Sequence, residues 1–263
     1  MNSIRLAFSV YGQYIRVAFA SAAAYRLDFF FTQTVMLAGS LLIPLLTVLI
    51  YANGEAIPGW TFHEALLAQA VFMLSSGLCA PFFHNVVWTT MERVREGTYD
   101  LLLLKPGSAV FTAVAGSFGF EYIGQLCGGA AMFAYAAARF APIPAGGAAL
   151  FALLFLMGVL LNLGCVLMMS AVCFKWVGNS RVFEIYDAVT LFGRYPVTIF
   201  TGALRAAVTY VIPVAMLGFF PATAILGRTT AQMAVAAVPC VLFAIFGYGL
   251  FRHMIQRYQS AGG

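Results

Sequence analysis

The chain has 263 residues, of which 62% are hydrophobic and 9% charged, and its net charge is +5; its mean hydropathy is +0.92. A soluble domain carries about 25% charged residues, so this composition excludes a water-solvated globule, and apolar stretches recur from residue 27 to residue 251 with no soluble module between them. The fourteen Lys and Arg fall mostly between those stretches, where anionic headgroups attract them; a nucleic-acid surface is not indicated.

In chain order, Ile4, Phe8, Tyr11, Ile15 and Phe19 recur at helical spacing, opposite Arg5, Ser9, Gln13 and Arg16. Residues 1–26 are therefore expected to form an amphipathic helix lying in the membrane interface. A signal peptide cleaved near Ala20, Ser21 and Ala22 fits less well, because Gln13 and Arg16 interrupt the apolar run. A span needs about 20 apolar residues to cross about 30 Å of hydrocarbon. The first is expected over residues 27–51, closed by Asn53, Gly54, Pro58 and Gly59, and the second over residues 62–83. After the polar stretch 84–106, a third is expected over residues 110–139 and a fourth over 147–174, joined through Pro142 and Pro144; the last covers residues 231–251.

Residues 175–227 admit two registers. In one, the polar segment 182–197 crosses as the fifth span and residues 206–226 dip back from the outer face. In the other, a straight span covers residues 197–219, which hydropathy alone favours. Pro196, Pro213 and Pro221, with Gly193, Gly202 and Gly218, would interrupt a straight helix repeatedly and suit a re-entrant element buried in protein, expected over residues 198–227. The whole, residues 1–263, is then one all-α membrane domain of six spans. Arg5, Arg16, Arg26, Arg93, Arg95, Lys105, Lys175, Arg181, Arg252 and Arg257 fall on one side of it, against Arg139 and Arg228 on the other, which makes both termini cytoplasmic.

The stretch from Thr90 to Pro106 holds most of the unambiguous surface charge. Thr90 is expected to cap a short helix with Glu92 in its first turn, and Gly97 to end it. Such a knob is either a docking site for a cytosolic partner or an ordinary solvated loop. Within the spans, Glu184, Asp187, Leu191 and Arg194 recur at helical spacings and would share one face, lining a dimer seam or a substrate path; an interfacial helix with its charges among headgroups is the competing reading. Glu121, expected in the third span beside Gly124 and Gln125, is the other buried acid. His63, His84 and His253 are dispersed, and the five cysteines show no CxxC spacing, so no metal site is expected. Trp60, Trp88, Trp176 and Tyr258 are expected as interfacial anchors, and runs such as Gly128-Gly129-Ala130-Ala131 as close helix contacts.

The run Val94-Arg95-Glu96-Gly97-Thr98-Tyr99-Asp100-Leu101-Leu102-Leu103-Leu104-Lys105-Pro106 resembles the loop after the second span in permeases of ABC type-2 exporters, and Phe192-Gly193-Arg194-Tyr195-Pro196, Ile212-Pro213 and Phe220-Pro221-Ala222 resemble that family's fifth-span exit and re-entrant helices. The resemblance covers essentially the whole chain and lies in the order and spacing of short motifs. It implies an amphipathic connecting helix over residues 1–26 and a cytoplasmic coupling helix within 84–106, with Glu92, Arg93, Arg95, Glu96, Gly97 and Asp100 against a cytosolic ATPase subunit. It also implies a second permease subunit in the bilayer, and gating by the region of Pro196, Pro213 and Pro221. ATP and Mg²⁺ would be bound by the ATPase partner; this chain has no GxxxxGK[ST] phosphate loop and no cofactor of its own. Export of a lipophilic compound, drug, peptide or glycolipid is the expected function. The alternative is an ion- or proton-coupled secondary transporter using Glu121, Glu184 and Asp187, weakened by the lack of an inverted repeat. An intramembrane enzyme lacks any motif.

Overall fold

The computed structural model describes residues 3–105, 107–176 and 181–259; Pro106 of the polar stretch and the side chains of Ile4 and Phe8 lie outside the described residues. Regular structure among the described residues is helical, with no strand. Four of the helical segments are long and apolar enough to cross a membrane, Arg26–Ala52, Phe62–Arg95, Ala145–Cys173 and Ala231–Gln256. They coincide with the first, second, fourth and last spans expected from hydropathy.

Helix α1 (Ser3–Ala24) passes through Tyr25 into α2 (Arg26–Ala52). On the apolar face of α1, Tyr11 stacks on Phe82 and meets Phe118 edge-on, and Phe19 meets Phe120 edge-on, so the amphipathic pattern is used for docking against protein. After a turn in which Gly54 and Gly59 adopt left-handed φ, Thr61 opens α3 (Phe62–Cys79). Its hydroxyl accepts the Glu64 N–H while the Glu64 carboxylate accepts the Thr61 N–H at 2.9 Å, a reciprocal cap that pairs two otherwise orphaned donors.

The helix does not stop near residue 83. A π turn at Ala80–His84 carries it into α4 (Asn85–Arg95), giving a rod about 50 Å long at 1.5 Å per residue, well beyond the hydrocarbon thickness. Pro81 lacks an N–H and crowds the preceding turn; the wider π turn absorbs both, and the Pro81 carbonyl accepts the Gly119 N–H at 3.1 Å. The expectation that Thr90 caps a separate helix is therefore corrected: it is buried within α4, because residues 85–89 are already helical. A short α5 (Tyr99–Leu103) follows.

The expected third span is broken. Helix α6 (Ala109–Ala115), capped by the Ser108 hydroxyl, stops at Gly116, and α7 (Ile123–Ala137) begins only after a turn through residues 116–122. Gln33 of α2 satisfies that turn: its Nε2 donates to the carbonyls of Phe120 and Glu121 at 2.8 and 3.0 Å, and its Oε1 accepts the Gly124 N–H at 2.5 Å. Glu121 thus sits in the break between α6 and α7.

Helix α8 (Ala145–Cys173) is uninterrupted. Helix α9 (Arg181–Thr190) tightens into a 3₁₀ turn at Leu191–Arg194. Beyond it come α10 (Gly202–Ala206), a π turn at Ala207–Val211, a 3₁₀ turn at Val214–Leu217, α11 (Phe219–Ile225) and finally α12 (Ala231–Gln256). A straight helix over residues 197–219 does not form, since Pro213 and Gly218 interrupt it, as does the extended backbone at Ile212.

Glycines set the closest helix contacts. Helices α8 and α12 run parallel, and a Cβ on Gly247 would collide with the backbone of Gly164. Between the antiparallel α3 and α7, a Cβ on Gly77 would lie 2.7 Å from the Leu126 backbone and one on Gly129 2.7 Å from that of Leu74. Backbones can approach this closely only without side chains. One core gathers Leu67, Val71, Phe72, Leu161, Met216 and Phe220, and a second, at the far end of the bundle, gathers Val94, Tyr99, Leu102, Leu167 and Phe251. Trp60 belongs to the first core: it is 6% exposed and donates from Nε1 to Thr198 at 3.0 Å, so it is no interfacial anchor. Tyr258 packs on Tyr99 and Phe174, whereas Trp88 and Trp176 are exposed.

Candidate functional site

Two features stand out, a charged elbow at the end of α4 and a polar cleft within the bundle. The elbow is fixed by the backbone. Gly97 takes φ +68°, its N–H bonds to the Val94 carbonyl at 3.3 Å, and the Thr98 N–H bonds to that of Arg93 at 2.9 Å. This pair of bonds closes a helix C-terminus through a left-handed residue, so the helix-ending role expected of Gly97 is met. The charged residues, however, are divided between two helices: Glu92, Arg93 and Arg95 lie on the last turn of α4 and Asp100 on α5. Glu92, Arg95 and Glu96 are exposed, and Arg93 and Asp100 are partly so.

Beneath the charges, the elbow is anchored by Tyr99, which has no exposed surface. Its ring meets Phe174 edge-on with centroids 4.8 Å apart and Tyr258 at 5.5 Å, joining α5 to the ends of α8 and α12. Burial pushes the Tyr99 phenol above its ordinary pKa, against a smaller opposing effect of Arg93. Leu101 and Leu104 are 64% and 81% exposed, an apolar contribution to this surface that charge-based reasoning passed over although the four consecutive leucines announced it. Lys105 donates to the Tyr14 hydroxyl at 2.9 Å, tying the elbow to α1.

The cleft, about 340 Å³ in volume, is lined by polar groups from several helices, among them Tyr122, Gln125, Asn162, Asp187, Thr190 and Arg194. The Tyr186 hydroxyl donates to Asn162 Oδ1 at 2.6 Å, and the Arg194 guanidinium lies 5.3 Å from the Phe72 ring centroid. Of the four residues expected on one helical face, Asp187, Leu191 and Arg194 line this cleft and Glu184 does not. Leu191 and Arg194 stay beside Asp187 across the change to a 3₁₀ turn, whereas Glu184, one turn earlier on α9, falls outside the cleft's lining. Glu121 is exposed in a separate groove that also includes Asp28, and accepts from Asn85 Nδ2 at 3.0 Å. Asn162, Tyr122 and Gln125 were not predicted; a lone Asn in an otherwise apolar 29-residue helix was the available signal. Among the described residues no cluster of three or more His, Cys, Asp or Glu could hold a metal.

At the opposite end of the bundle, Pro196, Pro213 and Pro221 are all buried. Helix α11 closes at Gly227 with the same pair of bonds as at Gly97, which carries Arg228 to Glu64, with an N–O distance of 2.5 Å. Arg228 also lies 5.7 Å from the Trp60 ring centroid.

Described residues that are helical throughout their regular structure, with four helices long and apolar enough to cross a membrane, fit an integral membrane protein. The family model described as ABC-2 family transporter protein matches residues 34–262, and the chain belongs to that family: it is a membrane permease component of an ABC transporter, and membership implies association with an ATPase subunit. No curated protein and no solved structure matches it significantly.

Proposed function

We propose that this chain is a six-span permease of the cell membrane, with both termini cytoplasmic, that exports a lipophilic, drug-like, peptide or glycolipid substrate using ATP hydrolysed by a separate subunit. Besides the four long helices, two further crossings are read from contacts. One runs through α6 and α7, antiparallel to α3. The other runs through residues 181–198, which climb from the level of Asn162, touched by Tyr186, to that of Trp60, touched by Thr198. Residues 207–226 then descend, with Gly218 against the carbonyls of Ala68 and Gly193, and return beside Gly147; this supports a re-entrant element over residues 198–227, with Pro196, Pro213 and Pro221 as its bends.

The observation that carries the reading is the anchoring of the elbow. A cytosolic ATPase bearing on Glu92, Arg93, Arg95, Glu96, Gly97 and Asp100 would push a rigid rod, α3 with α4, and through Tyr99 would also move the ends of α8 and α12. Packed helices transmit such displacements as rigid bodies. Two of those helices, α3 and α8, wall the cleft, so force at the elbow would reshape the space holding Asp187 and Arg194, with Glu184 and Glu121 outside it. A second copy or a related permease would complete the path against the lipid-facing side of α2. ATP and Mg²⁺ belong to the ATPase partner. Purification from native membranes tests this: an ATPase should co-purify, and vanadate should abolish ATP-dependent transport by the complex. Vanadate-insensitive transport driven by a proton gradient would replace this reading with secondary transport through Asp187.

A further inference from the structure

We propose that the cleft receives a zwitterionic head group, its cationic centre against Asp187 and its anionic centre against Arg194, with the apolar remainder of the molecule against Met36, Phe72 and Leu217. This rests on the reading of the cleft as part of the substrate path.

Asp187 and Arg194 stand seven positions apart on α9 and its 3₁₀ extension, and both face the same cleft. They do not pair with each other: the ion pair found among the described residues is that of Arg228 with Glu64. The Asp187 carboxylate has no hydrogen bond from a described residue, and the buried Nε–H of Arg194 has no acceptor among them. Each lies within the other's electrostatic field, but neither has a contact counter-ion, so both retain a desolvation cost. An anionic ligand would relieve Arg194 and be repelled by Asp187, and a cationic one the reverse. A ligand bearing both charges relieves both and adds no net charge to a low-dielectric space. Arg194 is half-buried whereas Asp187 is exposed, which sets the direction: the anionic centre lies deep and the cationic centre near the mouth. The apolar walls and the volume are those of a small-molecule site with a few placed polar groups.

The test is equilibrium binding of three probes of equal chain length to the purified full chain in uncharged maltoside micelles: dodecylphosphocholine, dodecyl phosphate and dodecyltrimethylammonium. The zwitterion should bind about tenfold or more tighter than either singly charged probe, as expected for one additional charge-assisted contact. Asp187→Asn should move the preference to dodecyl phosphate and Arg194→Gln to dodecyltrimethylammonium. This inversion of selectivity is a readout that mere loosening of the fold does not produce. Equal binding of all three probes, binding of none, a wild-type preference for a singly charged probe, or variants that weaken all three alike would overturn the proposal. ATP-dependent transport by the assembled complex separates the two inferences. Selective binding with transport untouched in both variants removes the cleft from the path, whereas lost transport without charge selectivity removes only the head-group assignment.

Discussion

Tyr99 offers the sharpest test of how the elbow is held. Its ring is fully buried between α5, α8 and α12, while its hydroxyl has no hydrogen-bond partner among the described residues, nor does that of neighbouring Tyr258. The two parts of the side chain should therefore separate. Tyr99→Ala removes the ring from a site walled by Phe174, Tyr258 and Phe251, and aromatic-to-alanine truncations in packed cores cost about 3–5 kcal/mol. Tyr99→Phe keeps the ring and deletes only an unpaired hydroxyl, so it should lie within about 1 kcal/mol of the parent, on either side. Thermal unfolding in detergent reads both, and ATPase activity of the complex, measured with ATP-dependent transport, reads coupling. The alanine variant should unfold earlier and lose transport per ATP, while the phenylalanine variant keeps both. There is also a pH signature. Burial raises the phenol's pKa in the folded state above the ordinary value of 10.0, so the fold is at full strength below that value and loses stability as pH rises above it, where the unfolded phenol ionises first. Tyr99→Phe should remove that alkaline loss. If Tyr99→Phe were as damaging as Tyr99→Ala, the hydroxyl would have a partner and the packing account would be refuted.

Gly97→Ala puts a Cβ at φ +68° and should cost roughly 1–2 kcal/mol locally; the expected result is weakened ATPase co-purification with the bundle's melting temperature nearly unchanged. Gly247→Val should lower that temperature markedly, since its side chain meets the Gly164 backbone, whereas Gly249→Val, with nothing within 4 Å, should leave it unchanged; equal melting curves would show that α8 and α12 do not pack as described. Glu64→Ala removes both the acidic half of the reciprocal cap at Thr61 and the partner of Arg228, a loss of about 1 kcal/mol or more. Arg228→Gln removes only the ion pair and should cost less, because that side chain is 47% exposed and such an ion pair is screened by solvent; equal losses for the two variants would make the ion pair, not the cap, the stabilising element.

Hydropathy and spacing alone located the four long spans, the helical start, the helix-ending Gly97 and the close contact at Gly129, but not those at Gly77, Gly164 and Gly247. Tertiary structure decided the rest. Whether Pro81 breaks or merely widens a helix depends on the π turn and on Gly119 lying beside its carbonyl; whether residues 110–139 form one helix depends on Gln33, about 90 positions away, satisfying a turn at Glu121. That Asp187 and Arg194 line the cleft while Glu184 does not depends on which helices pack around α9. The cleft itself is assembled from side chains on α2, α3, α7, α8 and α9, and no local pattern encodes a cavity, since its walls meet only when distant helices pack.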